Sequence, residues 1–311
     1  MNDVCAVIIT GGGNGHQVQA CLDGLRAHAG GTALEVIVVD TGSGLAGRYA
    51  ENCPGVHTIH CPERSNAYAY NRALESTEAR YVLFLGPEVE LLEGSLRQLV
   101  SALDSFPDIA LAGVRQVRGD GSLAPSNGRF PSGSHMLAEA IGLARVPGAR
   151  RFLGELIYSP RDYGLPRTCD WISGSLMLLR VDALSAVGWF DERLFCFEDA
   201  DLCWRLSRFG WDIAYFPCMT ACNRQHDRLR DARREAHSAY ARMQLARKHF
   251  PFAAAEYRWA LALRYALRVG AYTLRGRYLN HRRRAARAAL DTVIRGRPPV
   301  GPYPIRGLIR R

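Results

Sequence analysis

Three acids stand within four positions in Phe197-Glu198-Asp199-Ala200-Asp201-Leu202. Leu202, Leu206 and Phe209 follow at helical spacing and Gly210 ends the pattern, so the acids open a helix. Backbone N–H groups and the helix dipole at such a terminus favour the carboxylate form, by roughly 0.3–1 kcal/mol at an exposed site. A carboxylate that stays ionised at neutral pH can take a proton from a substrate hydroxyl. The same residues also suit plain N-capping, because Asp and Glu are common in first turns, and these six residues alone do not separate the two readings.

Two further acids follow apolar runs. Glu35-Val36-Ile37-Val38-Val39 ends in Asp40 and the turn Thr41-Gly42-Ser43-Gly44, and Arg80-Tyr81-Val82-Leu83-Phe84-Leu85 ends in Gly86-Pro87-Glu88-Val89-Glu90. Glu88 and Glu90 are expected to alternate on one strand face. Carboxylate oxygens there suit a hard divalent cation, which also bridges diphosphate oxygens.

The elements that position these acids are read from apolar patterning. Val4 to Ile9 is a buried-type strand. A helix with Val18, Cys21, Leu22 and Leu25 on one face follows Gly11 to Gly15 and leads into the strand ending at Asp40. Strand, helix, strand with continuous apolar strands implies a parallel sheet covered on both faces, so the fold class is α/β. A dinucleotide-binding unit with Asp40 on a ribose is one reading of this start. It is weak, because His16 stands where G-x-G-x-x-G needs its third glycine. Leu91 to Phe106 reads as an amphipathic helix and Ile109 to Gln116 as a strand. Residues 119–151, rich in Gly, Pro and Ser, read as a mobile connection.

With 311 residues the chain suffices for one large domain or for one domain plus an appendage. No apolar run approaches the roughly 20 residues that span a bilayer, and the N-terminus reads as a first strand rather than a signal peptide. Nine scattered cysteines without paired metal-type spacing read as reduced thiols in a cytoplasmic protein. The net charge of +10 is unevenly placed: Arg224 to Arg311 holds 22 basic and 5 acidic residues, a balance of +17 that leaves −7 for the rest. A basic tail can meet nucleic acid, anionic lipid or only water. Leu229 to His249 and Ala253 to Arg277 read as helices. In the second, Trp259, Leu263, Leu267 and Tyr272 lie among Arg258, Arg264, Arg268 and Arg275, a mixture that suits a membrane interface as well as a packed helix with a solvated basic face. Aromatic platforms among the basic residues are few, which argues against nucleic acid. Pro298 to Arg311 reads as extended.

The flanks of the acid cluster carry a resemblance. Trp171-Ile172-Ser173-Gly174-Ser175 precedes Leu176-Met177-Leu178-Leu179-Arg180; then come Val187-Gly188-Trp189-Phe190-Asp191-Glu192, the acids, and Gly210-Trp211. This order resembles family 2 inverting glycosyltransferases with the GT-A fold, and among them the bacterial rhamnosyltransferase-like members. The resemblance implies a mixed, mainly parallel sheet between helices over residues 1–225, with 226–311 as a basic helical extension able to associate with a membrane. It implies transfer of a sugar from a nucleotide diphosphate sugar, dTDP-rhamnose or a UDP-sugar, to a hydroxyl of a glycan or lipid-linked acceptor, with inversion.

The resemblance assigns Asp199 as general base, and Thr10, Asp40, Asn66, Asn71 and Glu88 to the donor. Trp171, Gly174, Glu198 and Asp201 would bind the acceptor or orient the helix start. Glu88 and His226 would hold Mg²⁺ or Mn²⁺, weakly, with the diphosphate supplying most of the attachment. An anionic membrane surface, on the inner face of the membrane, is the candidate further partner; nucleic acid is not. The chain departs from the family's pattern at two places. Thr10-Gly11-Gly12 stands for Thr-Tyr-Asn, and Gly86-Pro87-Glu88 for Asn-Pro-Asp. The extra methylene of Glu88 is expected to move its carboxylate outward. The alternative that these departures leave open is a nucleotide-sugar-binding protein without transferase activity.

Overall fold

Residues Val4 to Thr10 are apolar without a break, and all seven are buried, because helices cover both faces of the sheet they join. The computed structural model describes residues 3–11, 15–42, 45–62, 65–143, 146, 153–157, 163–224, 232–275 and 279–299. In chain order the elements are β1 (Val4–Thr10), α1 (Gly15–Ala27), β2 (Leu34–Asp40), α2 (Leu45–Glu51), β3 (Val56–His60), α3 (Asn66–Leu74), β4 (Tyr81–Leu85), β5 (Val89–Glu93), α4 (Leu96–Ser105), β6 (Ile109–Val117), β7 (Asn127–Gly128), α5 (Gly133–Ala140), β8 (Arg167–Thr168), β9 (Trp171–Ile172), β10 (Leu176–Arg180), α6 (Val181–Val187), α7 (Glu198–Arg208), β11 (Asp212–Asn223), α8 (Ala232–His249), α9 (Ala254–Leu274) and α10 (Asn280–Arg295).

The main sheet runs β3-β2-β1-β4-β10-β6-β11-β5, with β8 beside β11. Strands β3, β2, β1 and β4 are mutually parallel, while β10 is antiparallel to both its neighbours. This is the mixed, mainly parallel sheet that the family resemblance implies. Side chains alternate along β1. Val4, Ala6 and Ile8 pack with Leu22 and Leu25 of α1 and Leu96 and Leu99 of α4. Cys5, Val7 and Ile9 pack on the other face with Tyr70 of α3, Leu184 of α6, and Leu202 and Leu206 of α7.

Several sequence expectations are corrected. The helix read over Leu91 to Phe106 is a strand and a shorter helix: Val89–Glu93 pairs antiparallel with β11, and Ser95 caps α4 in a capping box with Gln98. Glu88 does not share a strand face with Glu90. It lies in the turn between β4 and β5, and only Glu90 is on a strand. Within residues 119–151, Asn127–Gly128 pairs with β9, and Gly133–Ala140 is a helix capped by Ser132, so that part is ordered structure. The tail contains a third helix, α10, which no expectation named. Its Ala286, Ala289 and Val293 recur at helical spacing beneath an arginine-rich surface, and join Met136 of α5 and Tyr257, Leu261 and Tyr265 of α9 in a core of their own. Helix α8 reaches back to the main sheet's helical layer: its Leu245 is buried in the same cluster as Leu202 and Leu206 of α7.

Candidate active site

The C-terminal ends of the parallel strands converge on one edge of the sheet, where open α/β sheets bind ligands. Thr10 and Asp40 are register partners at the ends of β1 and β2, and the Thr41 N–H donates to the Thr10 carbonyl at 2.9 Å. Both side chains are buried. Asp40 Oδ1 accepts from the Gly42 N–H at 2.9 Å, whereas Asp40 Oδ2 and Thr10 Oγ1 have no hydrogen-bond partner among the described residues, the His60 imidazole standing 3.9 Å from Oδ2. Helix α2 lies directly against that carboxylate: a Cβ on Gly47 would stand 2.6 Å from Asp40 Oδ2, so only glycine fits there.

The end of β4 supplies Glu88. Its carboxylate does not move outward. It folds back over Gly86, where an added Cβ would lie 2.9 Å from Glu88 Oε1. Gly86 therefore makes room for the longer acid, so the shorter residue at 86 and the longer one at 88 offset each other within this turn. The Gly86 N–H donates to the Ser175 carbonyl at 2.8 Å, which ties this turn to the start of β10.

The acid cluster opens α7. Phe197 precedes it with φ 64°, the single positive-φ residue other than glycine among the described residues. A left-handed aromatic is strained, and such strain gathers at functional sites. It turns the chain sharply, so that Glu198 and Asp199 start the helix without a side-chain cap from Phe197. Asp199, half-buried, accepts at Oδ2 from the Gly174 N–H (2.7 Å) and at Oδ1 from the Ala200 N–H (2.8 Å). The Gly174-Ser175 turn thus touches both the Asp199 carboxylate and the turn that carries Glu88. Ser175 is itself fixed, its hydroxyl donating to Gln116 Oε1 at 3.0 Å.

Asp201 does not face an acceptor. It is fully buried, with Lys248 Nζ and His249 Nε2 each donating to Oδ1 at 2.6 Å and Arg205 Nε donating to Oδ2 at 3.0 Å. Of its two expected roles, the geometry fits helix orientation. Burial alone would push the Asp201 carboxyl up; the bonds from His249 and Lys248 and the charge of Arg205 outweigh it and hold it below the ordinary value. Lys248 also reaches Asp191 at 2.7 Å, and Arg205 donates to the carbonyls of Val187 and Trp189. The Asp191 carboxyl lies well below its usual range, first through the Arg193 guanidinium and then, against partial burial, through Lys248. Trp204 stacks edge-on with Phe250 at 4.3 Å, so the end of α8 clamps α7 on two sides.

The remaining expected residues divide. Glu198 is buried and accepts from Asn66 Nδ2 at 3.3 Å, which joins α3 to α7. Asn71 faces protein rather than the sheet edge. Its amide donates to the Phe190 carbonyl (3.0 Å) and Glu192 (2.9 Å) and accepts from the Phe190 N–H (3.0 Å), which is a clasp and not a donor contact. The Trp171 indole packs against Gly128, and its Nε1 donates to the Arg129 carbonyl at 2.8 Å. His226 lies outside the described residues. Sequence reasoning missed Lys248, His249, Arg205 and Arg242. The Arg242 guanidinium sits 4.7 Å over the Phe197 ring and pairs with buried Glu155. Arg205 at i+4 from Asp201 was legible as a helical pair.

Among the described residues no three His, Cys, Asp or Glu side chains converge as a metal site. Glu88 alone fits a cation that takes its other ligands from a diphosphate.

The family described as "Glycosyl transferase family 2" matches residues 6–188, more than half of the chain. Two relatives come from Mycobacterium tuberculosis. An N-acetylglucosaminyl-diphospho-decaprenol L-rhamnosyltransferase is 32% identical over 196 residues, covering 60% of this chain and 62% of that protein. A pre-mycofactocin glycosyltransferase is 29% identical over 210 residues, covering 64% of this chain and 39% of that protein. The chain therefore spans less than two thirds of the length of these relatives. Among solved structures, a mannosyltransferase from Pyrobaculum calidifontis in complex with GDP-Man and Mn²⁺ superposes with a TM-score of 0.55 at 16% identity, over 95% of this chain and 86% of that one. GalNAc-T7 with UDP, GalNAc and Mn²⁺ superposes at 0.60 and 11% identity, over 94% and 56%. At such identities these two likenesses show the GT-A fold.

Proposed function

The chain belongs to glycosyl transferase family 2, and from that premise we propose that it moves a sugar from dTDP-rhamnose or a UDP-sugar to a hydroxyl of a glycan or lipid-linked acceptor, with Asp199 as the general base. Membership of the family, whose members invert, and the named relatives support glycosyltransferase activity over the reading as a binding protein without turnover. The choice of donor and acceptor is our own; the rhamnosyltransferase relative supports it.

One observation carries the assignment. The Gly174-Ser175 turn holds the Asp199 carboxylate through Gly174 and the Glu88 turn through Ser175. In a single displacement a base takes the acceptor proton while the diphosphate leaves from the opposite face. A base on one side of a shared turn and a diphosphate-facing acid on the other suit that geometry. The acceptor oxygen forms its bond to the anomeric carbon, the bond to the diphosphate oxygen breaks, and the acceptor proton passes to Asp199. Phe197 and the two backbone N–H donors fix the direction of that carboxylate before substrate arrives. When bound, a divalent cation supplies charge neutralisation for the leaving diphosphate, and Glu88 is the residue that would hold it. His226 is the second ligand we propose. Thr10 and Asp40, whose buried Oγ1 and Oδ2 make no hydrogen bond among the described residues, are the groups we assign to the nucleoside; the His60 imidazole stands 3.9 Å from Asp40 Oδ2.

We divide the chain into a catalytic unit over 1–225 and a helical extension over 226–311, docked through α8. Among the described residues no helix is long and apolar enough to cross a membrane. We assign the extension to the surface of an anionic membrane instead. The test of the donor reading is a thermal-shift screen of nucleotide sugars with Mg²⁺ or Mn²⁺, followed by release of nucleoside diphosphate in metal and in EDTA. Stabilisation by a dTDP- or UDP-sugar, with activity lost in EDTA and in Glu88→Ala, is the expected result. Full activity in EDTA together with an active Glu88→Ala removes the metal from the proposal.

A further inference from the structure

Helix α9 buries one side against α8 and α10 and leaves another open. The open side carries Trp259, Leu263, Leu267 and Leu274; Trp259 is 72% and Leu274 90% exposed. At about 100° per residue these four fall within about 80° of arc, together with Gly270 and with Glu256, whose side chain turns onto α5. Such a strip on a buried-type helix is not ordinary surface.

A second strip lies beside it, on the catalytic unit itself. Helix α5 runs parallel to α9, with Gly133 packed under the Glu256 side chain and Glu139 paired with Arg264 at 2.8 Å. Those contacts fix which faces meet. The same helical arithmetic then places Leu137 and Ile141 of α5 on the flank of the pair where Trp259, Leu263 and Leu267 stand on α9. Leu137 and Ile141 are exposed, and Leu143 and Val146 in the turn beyond are exposed as well. The two helices form one apolar face.

We propose that this α5–α9 face is the surface by which the protein lies on an anionic bilayer. Charge selects that occupant. Arg275 closes the strip, α10 adds exposed Arg282, Arg284 and Arg287, and residues 224–311 carry +17. A second copy docked through the same face would bring two such tails together, whereas anionic headgroups neutralise them. Tryptophan and leucine enter the acyl boundary while arginines reach the headgroups. The segment that leads into α5 also contacts the site: the Arg129 carbonyl holds Trp171, and the Phe130 N–H bonds Asp170. A bilayer under α5 therefore sets the height of the acceptor side above the lipid. This rests on the reading of the acceptor as lipid-linked.

The test is flotation of the full chain with vesicles of phosphatidylcholine containing phosphatidylglycerol, and with phosphatidylcholine alone. The wild type and the control Leu165→Glu, exposed elsewhere, should float with the anionic vesicles. Leu137→Glu/Ile141→Glu and Trp259→Glu/Leu263→Glu should each lower the partition about tenfold or more, with unchanged circular dichroism. Normal flotation by the folded α5 variant would overturn the proposal, as would a wild type left wholly in the soluble fraction, or a wild-type dimer that the same variants dissociate. Flotation uses no sugar, so its failure leaves the transferase reading intact, and failure of the donor screen leaves this one intact.

Discussion

The sheet edge that carries Thr10 and Asp40 and the helix that carries Asp199 are both built from buried polar groups, and they differ in how those groups are partnered. At the edge, Asp40 Oδ2 and Thr10 Oγ1 have no hydrogen-bond partner among the described residues, and the His60 imidazole stands near Oδ2, at 3.9 Å. On α7, both oxygens of Asp199 accept backbone N–H groups, and both oxygens of Asp201 accept cationic or imidazole donors. Unpartnered buried polar atoms cost free energy, and native proteins carry few of them. The contrast teaches a division of labour. In the proposed reading, Asp199 is aimed by the protein alone, while the edge at Thr10 and Asp40 holds bonding capacity that a ligand completes.

Variants sharpen that contrast, beginning with the strongest. Asp201→Asn leaves Lys248, His249 and Arg205 around a neutral group. Breaking a buried ion cluster costs about 3–5 kcal/mol, and chemical denaturation should show a loss of that order. Donor affinity in the remaining folded protein should stay near the wild type, because the cluster supports α7 and not the edge. A loss below about 1 kcal/mol would deny the cluster its role.

The same cluster fixes a pH dependence. Asp201 and Asp191 have folded pKa values below those of the unfolded chain. Their contribution is therefore complete well above the unfolded value of about 3.9, and is lost as pH falls through the folded values. Unfolding curves taken from pH 7 downward should fall away below about pH 4, and Asp201→Asn should flatten that fall. Equal slopes for the two proteins would mean that other carboxylates set the acid limit.

At the edge the expected effect is smaller and of the opposite kind. Asp40→Asn keeps the oxygen that the Gly42 N–H needs and removes the charge. Stability should hardly move, while affinity for the nucleotide sugar found in the screen should fall about tenfold, the value of one bond to a charged group. Calorimetric titration checks it, and an unchanged Kd would move the nucleoside elsewhere. The smallest effect belongs to Gly86→Ala, whose new methyl group meets the Glu88 carboxylate. Half-activating Mn²⁺ should rise a few-fold, and Glu88→Asp in the same chain should recover part of it. Additive losses would show that the two positions do not compensate.

Much of this was legible before the fold was seen. Strands β1, β2 and β4 announce themselves as unbroken apolar runs, and the acids at 198–201 announce a helix start. Strand β5 was hidden because Val89, Leu91 and Leu92 suit either period, and the pairing with β11 decides. Helix α10 was hidden because its alanine face is thin and its arginines dominate the composition. The contacts of Lys248 and His249 with Asp201 span 47 and 48 positions, and no local pattern reports a bond of that reach. The fold-back of Glu88 depends on the absence of a side chain at residue 86, which reads in sequence as a loss and in space as room.

The central claim is that Asp199 takes the acceptor proton and does not hold the donor. Its most direct test pairs two measurements on wild type and Asp199→Asn: the Kd for the donor by calorimetry, and the rate of nucleoside diphosphate release with acceptor present. Loss of a positioned base costs about 10²–10⁴-fold, so release should fall by at least that much while Kd changes less than about twofold. A well-folded Asp199→Asn protein that turns over within a few-fold of wild type would contradict the account.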